Sequence, residues 1–95
     1  MKIDTADIVI SLNGRDEGKR FLVIGTQDEY SFIADGKSRR IEKPKRKKNK
    51  HLLLEDRDNG LAAQKLISGE KVANSEIRRV LAGYAAKRGE DGGAR

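Results

Sequence analysis

The chain has 95 residues, 38% of them charged and only 4% aromatic, with a formal net charge of +6. One small domain with an aliphatic core is expected at this size. There is no cysteine and a single histidine, His51, which excludes a disulfide framework, a thiolate metal site and a histidine cluster.

The N-terminal stretch MKIDTADIVISL is too short in its apolar part, and too polar at its front, for a signal peptide. Ile8-Val9-Ile10 and Leu12 then make a β-branched apolar run closed by Asn13-Gly14, a strand signal. Phe21-Leu22-Val23-Ile24 is a second strand, ended by Gly25. Tyr30-Ser31-Phe32-Ile33-Ala34 is a third, ended by the hairpin dipeptide Asp35-Gly36. Phe21, Tyr30 and Phe32 lie in these strand patterns and are expected in the core. A fourth, short strand is expected around Ile41, from Arg39 to Lys43, and a fifth at Leu52-Leu53-Leu54 before the turn Asp58-Asn59-Gly60. Pro44 lacks an N–H and marks a loop between those two. Five short strands at this spacing suggest a small barrel or sandwich.

After Gly60 the period changes. Leu61, Ala62, Leu66 and Ile67 recur at helical spacing until Gly69. Ile77, Val80, Leu81, Tyr84 and Ala85 repeat as i, i+3, i+4, i+7, i+8, with Asn74 or Ser75 as N-cap. These apolar positions are expected to cover the open side of the strands. The domain plan is thus a mainly β barrel over residues 1–58 with a basic loop at 43–50, a helical segment over 59–88, and a disordered tail over 89–95. No stretch of about 18 apolar residues exists, so no membrane span is expected, and the lack of cysteine fits the cytoplasm.

The charge is concentrated. Residues 37–51 hold nine basic residues and one acid, Glu42, for a net +8, so the rest of the chain sums to −2. Such a single-sign cluster attracts polyanions. Its centre reads KPKRKKNKH, richer in lysine than arginine, which favours phosphate attraction over bidentate base reading. Recognition of a polyanion's shape and phosphate backbone is expected, because stacking on unpaired bases wants aromatics that these strands assign to the core.

The loop Asn13 to Lys19 carries Gly14 and Gly18, with Arg15 and Lys19 flanking Asp16 and Glu17. It is not a P-loop, since no Gly-Lys-Ser/Thr follows a strand in frame. The stretch DIVISLNGRDEGK, residues 7–19, resembles the KOW motif: a strand, a loop of the form Gly-Arg/Lys-Asp-x-Gly-Lys, then a second strand. The continuation through Ile33-Ala34-Asp35-Gly36 to Arg39-Arg40-Ile41-Glu42-Lys43-Pro44 resembles KOW-type large-subunit ribosomal proteins, and above all the small bacterial KOW domain-containing RNA-binding proteins. The similarity covers about residues 5–54. It departs from the motif at Arg20-Phe21, where many KOW motifs carry another glycine.

The resemblance implies an SH3-like five-stranded barrel that binds RNA or a ribonucleoprotein. Gly18 matches the motif's central glycine, and Gly14, Arg15 and Lys19 are the loop's implied contacts. Together with Arg20 and the basic cluster, the candidate nucleic-acid contacts are Gly14, Arg15, Gly18, Lys19, Arg20, Lys37, Arg39, Arg40, Lys43, Lys45, Arg46, Lys47, Lys48, Lys50 and His51. The serines lie in no nucleophile-elbow context and the carboxylates are scattered, so neither an enzyme nor a cofactor is expected. The expected partner is ribosomal or other structured RNA. The alternative is an interaction module docking on a ribosomal protein or RNA polymerase.

Overall fold

Ile8-Val9-Ile10, Phe21-Leu22-Val23-Ile24 and Phe32-Ile33-Ala34 are unbroken apolar runs, so both faces of the sheet they form need cover. The computed structural model, which describes residues 2–90, meets this demand by curling the sheet on one side and laying helices on the other. Strands β1 (Asp7–Ser11), β2 (Arg20–Gln27), β3 (Tyr30–Ala34), β4 (Lys45–Lys48) and β5 (Leu52–Arg57) form one antiparallel sheet in the order β4-β3-β2-β1-β5. Helices α1 (Leu61–Ser68) and α2 (Asn74–Lys87) follow. Neither is long and apolar enough to cross a membrane.

Side chains alternate between two cores. Val9, Phe21, Val23 and Ile33 point to the concave face, where they join Ile3 and Leu52. Ile8, Leu22 and Ala34 point outward and meet Val72, Ile77 and Tyr84, with Leu66, Val80 and Leu81 packed alongside. The helices are therefore a second layer on the sheet. The α2 stripe at Ile77, Val80, Leu81 and Tyr84 supplies most of the cover, as its spacing predicts.

The concave core requires strong curvature, and the connection from β4 to β5 demonstrates it. Five flat strands would hold the two edges about 19 Å apart. The link from Lys48 to Leu52 is a single 3-10 turn, Asn49–His51, and four residue steps span at most about 14 Å. Asn49 N–H donates to Glu29 O at 2.8 Å on one edge, and Leu12 N–H donates to His51 O at 2.9 Å on the other. Even so, β4 and β5 share no ladder, so backbone pairing does not close the sheet into the expected barrel.

Four local expectations need correction. The fourth strand is not Arg39–Lys43, which lies in turns, but Lys45–Lys48 inside the basic run. The expected basic loop at 43–50 is thus mostly a strand and a 3-10 turn, with Pro44 just ahead of the first ladder position, where its missing N–H costs nothing. The N-cap of α2 is Ala73. It has no side-chain acceptor, and the Glu76 carboxylate takes its N–H at 3.0 Å. Asn74 is used elsewhere: its carbonyl oxygen accepts Ile41 N–H at 2.7 Å and its amide donates to Glu42 at 2.9 Å, tying α2 to the β3–β4 loop. Finally, Gly89 and Glu90 of the expected disordered tail are placed, Gly89 with φ +81° and Glu90 paired to Arg20, while residues 91–95 lie outside the described residues.

Candidate nucleic-acid interface

Three segments remote in sequence meet at the loop between β1 and β2. Gly14 and Gly18 both take positive φ, +79° and +84°, which lets the chain reverse within a few residues. Gly18 N–H donates to Ser11 O at 2.8 Å and Lys19 N–H to Asp16 O at 2.9 Å, closing the turn. Asp16 is buried, 5% exposed, because the Arg39 guanidinium caps its carboxylate at 3.0 Å. This acid does not dilute the loop's positive surface. It fastens the β1–β2 loop to the β3–β4 loop.

A second fastening comes from β4. Lys47 is buried, 9% exposed, and its Nζ donates to Asn13 O at 2.9 Å. A Cβ at Gly14 would make only ordinary van der Waals contact with that ammonium, at 3.6 Å, so it is the positive φ and not lack of space that calls for glycine here. The Asn13 amide also meets His51 Nδ1 at 2.6 Å. With the amide donating, Nδ1 accepts and Nε2 carries the ring proton. Loop, strand and 3-10 turn are thus held as one unit.

The β3–β4 loop is ordered by Asp35. Its carboxylate accepts Lys37 N–H and Arg39 N–H, both at 2.8 Å, and the Ser38 hydroxyl at 2.9 Å. Burial pushes the Asp35 carboxyl up, but these hydrogen bonds outweigh it and hold the group below its ordinary value. Gly36 follows with φ +76°, and its carbonyl accepts from Arg78 Nη1 at 2.5 Å.

The expected contacts now divide into two groups. Arg15, Lys19, Lys37, Arg40, Lys43, Arg46, Lys48 and Lys50 are exposed, with Lys45 partly so. Of these, Arg40 lies 3.6 Å from the exposed Glu42, a loose surface pair, and Lys19 lies 3.9 Å from the buried Asp16, a long contact to a carboxylate already held by Arg39. Arg39, Lys47 and His51 are instead engaged internally, as positioning groups. Arg20 stands apart from the expected surface. It pairs with Glu55 at 2.6 Å and with Glu90 at 2.9 Å, and its guanidinium lies 5.0 Å over the Tyr84 ring. Hydrogen bonding to Glu90 is the main cause that raises its pKa, with burial opposing and Glu55 adding to it. This arginine clamps the end of α2 to the sheet and has no charge to spare for a ligand.

The strand geometry also exposes residues that composition assigned to the core. Phe21 is fully buried, as expected, but Tyr30 and Phe32 are only partly so. They sit on the outer face of β3, two positions apart, on the same side as Ala34. Arg46 lies over the Tyr30 ring at 4.3 Å from its centroid and Lys48 at 5.9 Å. The signal in the sequence was the Tyr-x-Phe spacing opposite an Arg-x-Lys spacing, legible only once β3 and β4 are known to pair. No protein-family model matches the chain, and no curated protein matches it.

Proposed function

We propose that this is an RNA-binding protein of the KOW type, engaging ribosomal or another structured RNA through the surface built from residues 13–19, 35–43 and 45–50. The observation that carries the proposal is the pair of fastenings Asp16–Arg39 and Lys47–Asn13. They hold two loops and a cationic strand together, and they use the loop's acid internally while Arg15, Lys37, Lys43, Arg46, Lys48 and Lys50 stay exposed. A preorganised set of cations suits a polyanion better than scattered ones, because less side-chain and loop entropy is lost on binding. The glycine-turned loop between two strands and the strongly curled five-stranded sheet also support the KOW, SH3-like interpretation.

Binding of this kind is governed by counterion release, with log K falling against log salt by about 0.7–0.9 per phosphate contact. With four to six contacts, affinity for a fluorescent structured RNA falls by roughly two orders of magnitude between about 50 and 200 mM salt. Heparin competes and a neutral polymer does not. Salt-independent binding, or no RNA shift in dilute buffer, would falsify the proposal and favour docking on a protein partner.

A further inference from the structure

We propose that the outer face of β2, β3 and β4 is a stacking platform for unpaired nucleobases, centred on the Tyr30–Arg46 pair. The inference rests on the RNA-binding proposal above and adds a class of ligand to it, a single-stranded segment.

The face is built of two cross-strand rows. Gly25 on β2 stands opposite Phe32, which stands opposite Arg46; Gln27 stands opposite Tyr30, which stands opposite Lys48. The rows hold two rings, two cations, an amide and a glycine, and no carboxylate. Helix α2 covers this same face farther along, where Leu22 and Ala34 are fully buried, but the two rows hold rings that remain partly exposed.

Arg46 carries the specific chemistry. Arg20, Arg39, Arg40, Arg57 and Arg88 each pair with a carboxylate; Arg15, Arg46, Arg78 and Arg79 have no ion pair among the described residues, and of these four Arg46 is the one that lies over an aromatic ring. Its exposed guanidinium is layered on Tyr30 instead. A planar guanidinium held on an aromatic ring offers a flat cationic surface on which a base can stack. Lys48, beside the same ring, is placed to neutralise the phosphate of a stacked nucleotide. Gly25 leaves the flank of Phe32 open: an added Cβ would come within 4.0 Å of Phe32 Cδ2. A paired A-form helix keeps its base faces inside the stack, so this surface selects unpaired bases.

The test uses the full chain, an oligouridine of about 12 nucleotides and a perfectly paired RNA duplex of the same length. Tyr30→Leu removes the ring, and Arg46→Lys keeps the charge but removes the plane. Each is expected to weaken oligouridine binding by about tenfold, with duplex affinity changed less than twofold and the salt slope unaltered. Arg46 is exposed, so its variant tests the platform even if Tyr30→Leu is destabilised. Equal loss on both RNAs, or no loss on oligouridine while both RNAs still bind, overturns the platform and leaves the RNA-binding proposal standing. Binding of neither RNA by the unaltered protein overturns both.

Discussion

Replacing Lys47 and, separately, Lys48 by methionine sets two neighbours of one basic run against each other. Methionine keeps the apolar stem and removes only the ammonium. Lys48 is exposed on the outer face, so its loss removes one phosphate contact, and the salt slope becomes shallower by about 0.7–0.9. Between about 50 and 200 mM salt that is close to a threefold reduction in salt sensitivity. Surface substitutions of this kind stay within about 0.5 kcal/mol in stability. Lys47 is buried and bonded to Asn13 O at 2.9 Å. A hydrogen bond from a charged donor contributes about 1.5–3 kcal/mol. Part of that is recovered here, because Asn13 O still accepts from the Ser11 hydroxyl at 3.0 Å and a buried charge is removed. A net loss of about 1 kcal/mol, or about 4–8 °C in melting temperature, is expected with the salt slope unchanged. Anisotropy titrations at four salt concentrations and thermal melts of both variants make the comparison. If both flatten the slope equally and neither lowers the melting temperature, residues 45–48 are a solvated loop and the argument from β4 is wrong.

Gly36→Ala should be severe. The residue has φ +76°, and its new Cβ would lie 2.4 Å from Asn74 O and 3.0 Å from Arg78 Cγ. The left-handed backbone costs about 1–2 kcal/mol and the forced displacement of α2 about 1–3 kcal/mol, so urea unfolding should show a loss of about 2–5 kcal/mol. A loss under about 0.5 kcal/mol would mean that α2 does not dock there. Arg20→Met should lower stability by about 1–2 kcal/mol, mostly through Glu55, since solvent screens the Glu90 pair, and leave RNA affinity unchanged; weakened RNA binding without a stability change would contradict its clamp role. The Asp35 carboxyl has a folded pKa below its ordinary 3.8, so the unfolded chain binds the extra proton. Its stabilisation is complete above that value and is lost as pH falls through the folded pKa. Melts from pH 7 to pH 2 should therefore show a smaller acid loss for Asp35→Asn than for the unaltered chain; identical acid loss would remove Asp35 as the organiser of its turn.

The strands β1, β2, β3 and β5 and helix α2 were legible because their signals are hydrophobic: apolar runs, buried on both faces in β1 and β2, and a 3.6-residue stripe covering one face; in α1 the expected stripe is only partly right, since Leu61 and Ile67 are exposed while Ala62 and Ala63 are buried. The fourth strand was not legible, because Lys45-Arg46-Lys47-Lys48 has no apolar contrast to reveal a period of two. The same blindness hid the split within the candidate site, where Arg20, Arg39 and Lys47 look like their neighbours until their partners Glu55, Asp16 and Asn13 are brought up from distant segments.

From the chain alone came the aliphatic character of the interior, the order of strands before helices, and the crowding of positive charge into residues 37–51. Folding decided which of those charges face solvent and which act as bolts. It also decided that Tyr30 and Phe32 lie beside Arg46 and Lys48 on a partly exposed stretch of the sheet. The physical reason is register: in a strand every second side chain shares a face, but pairing with β3 alone determines which face that is.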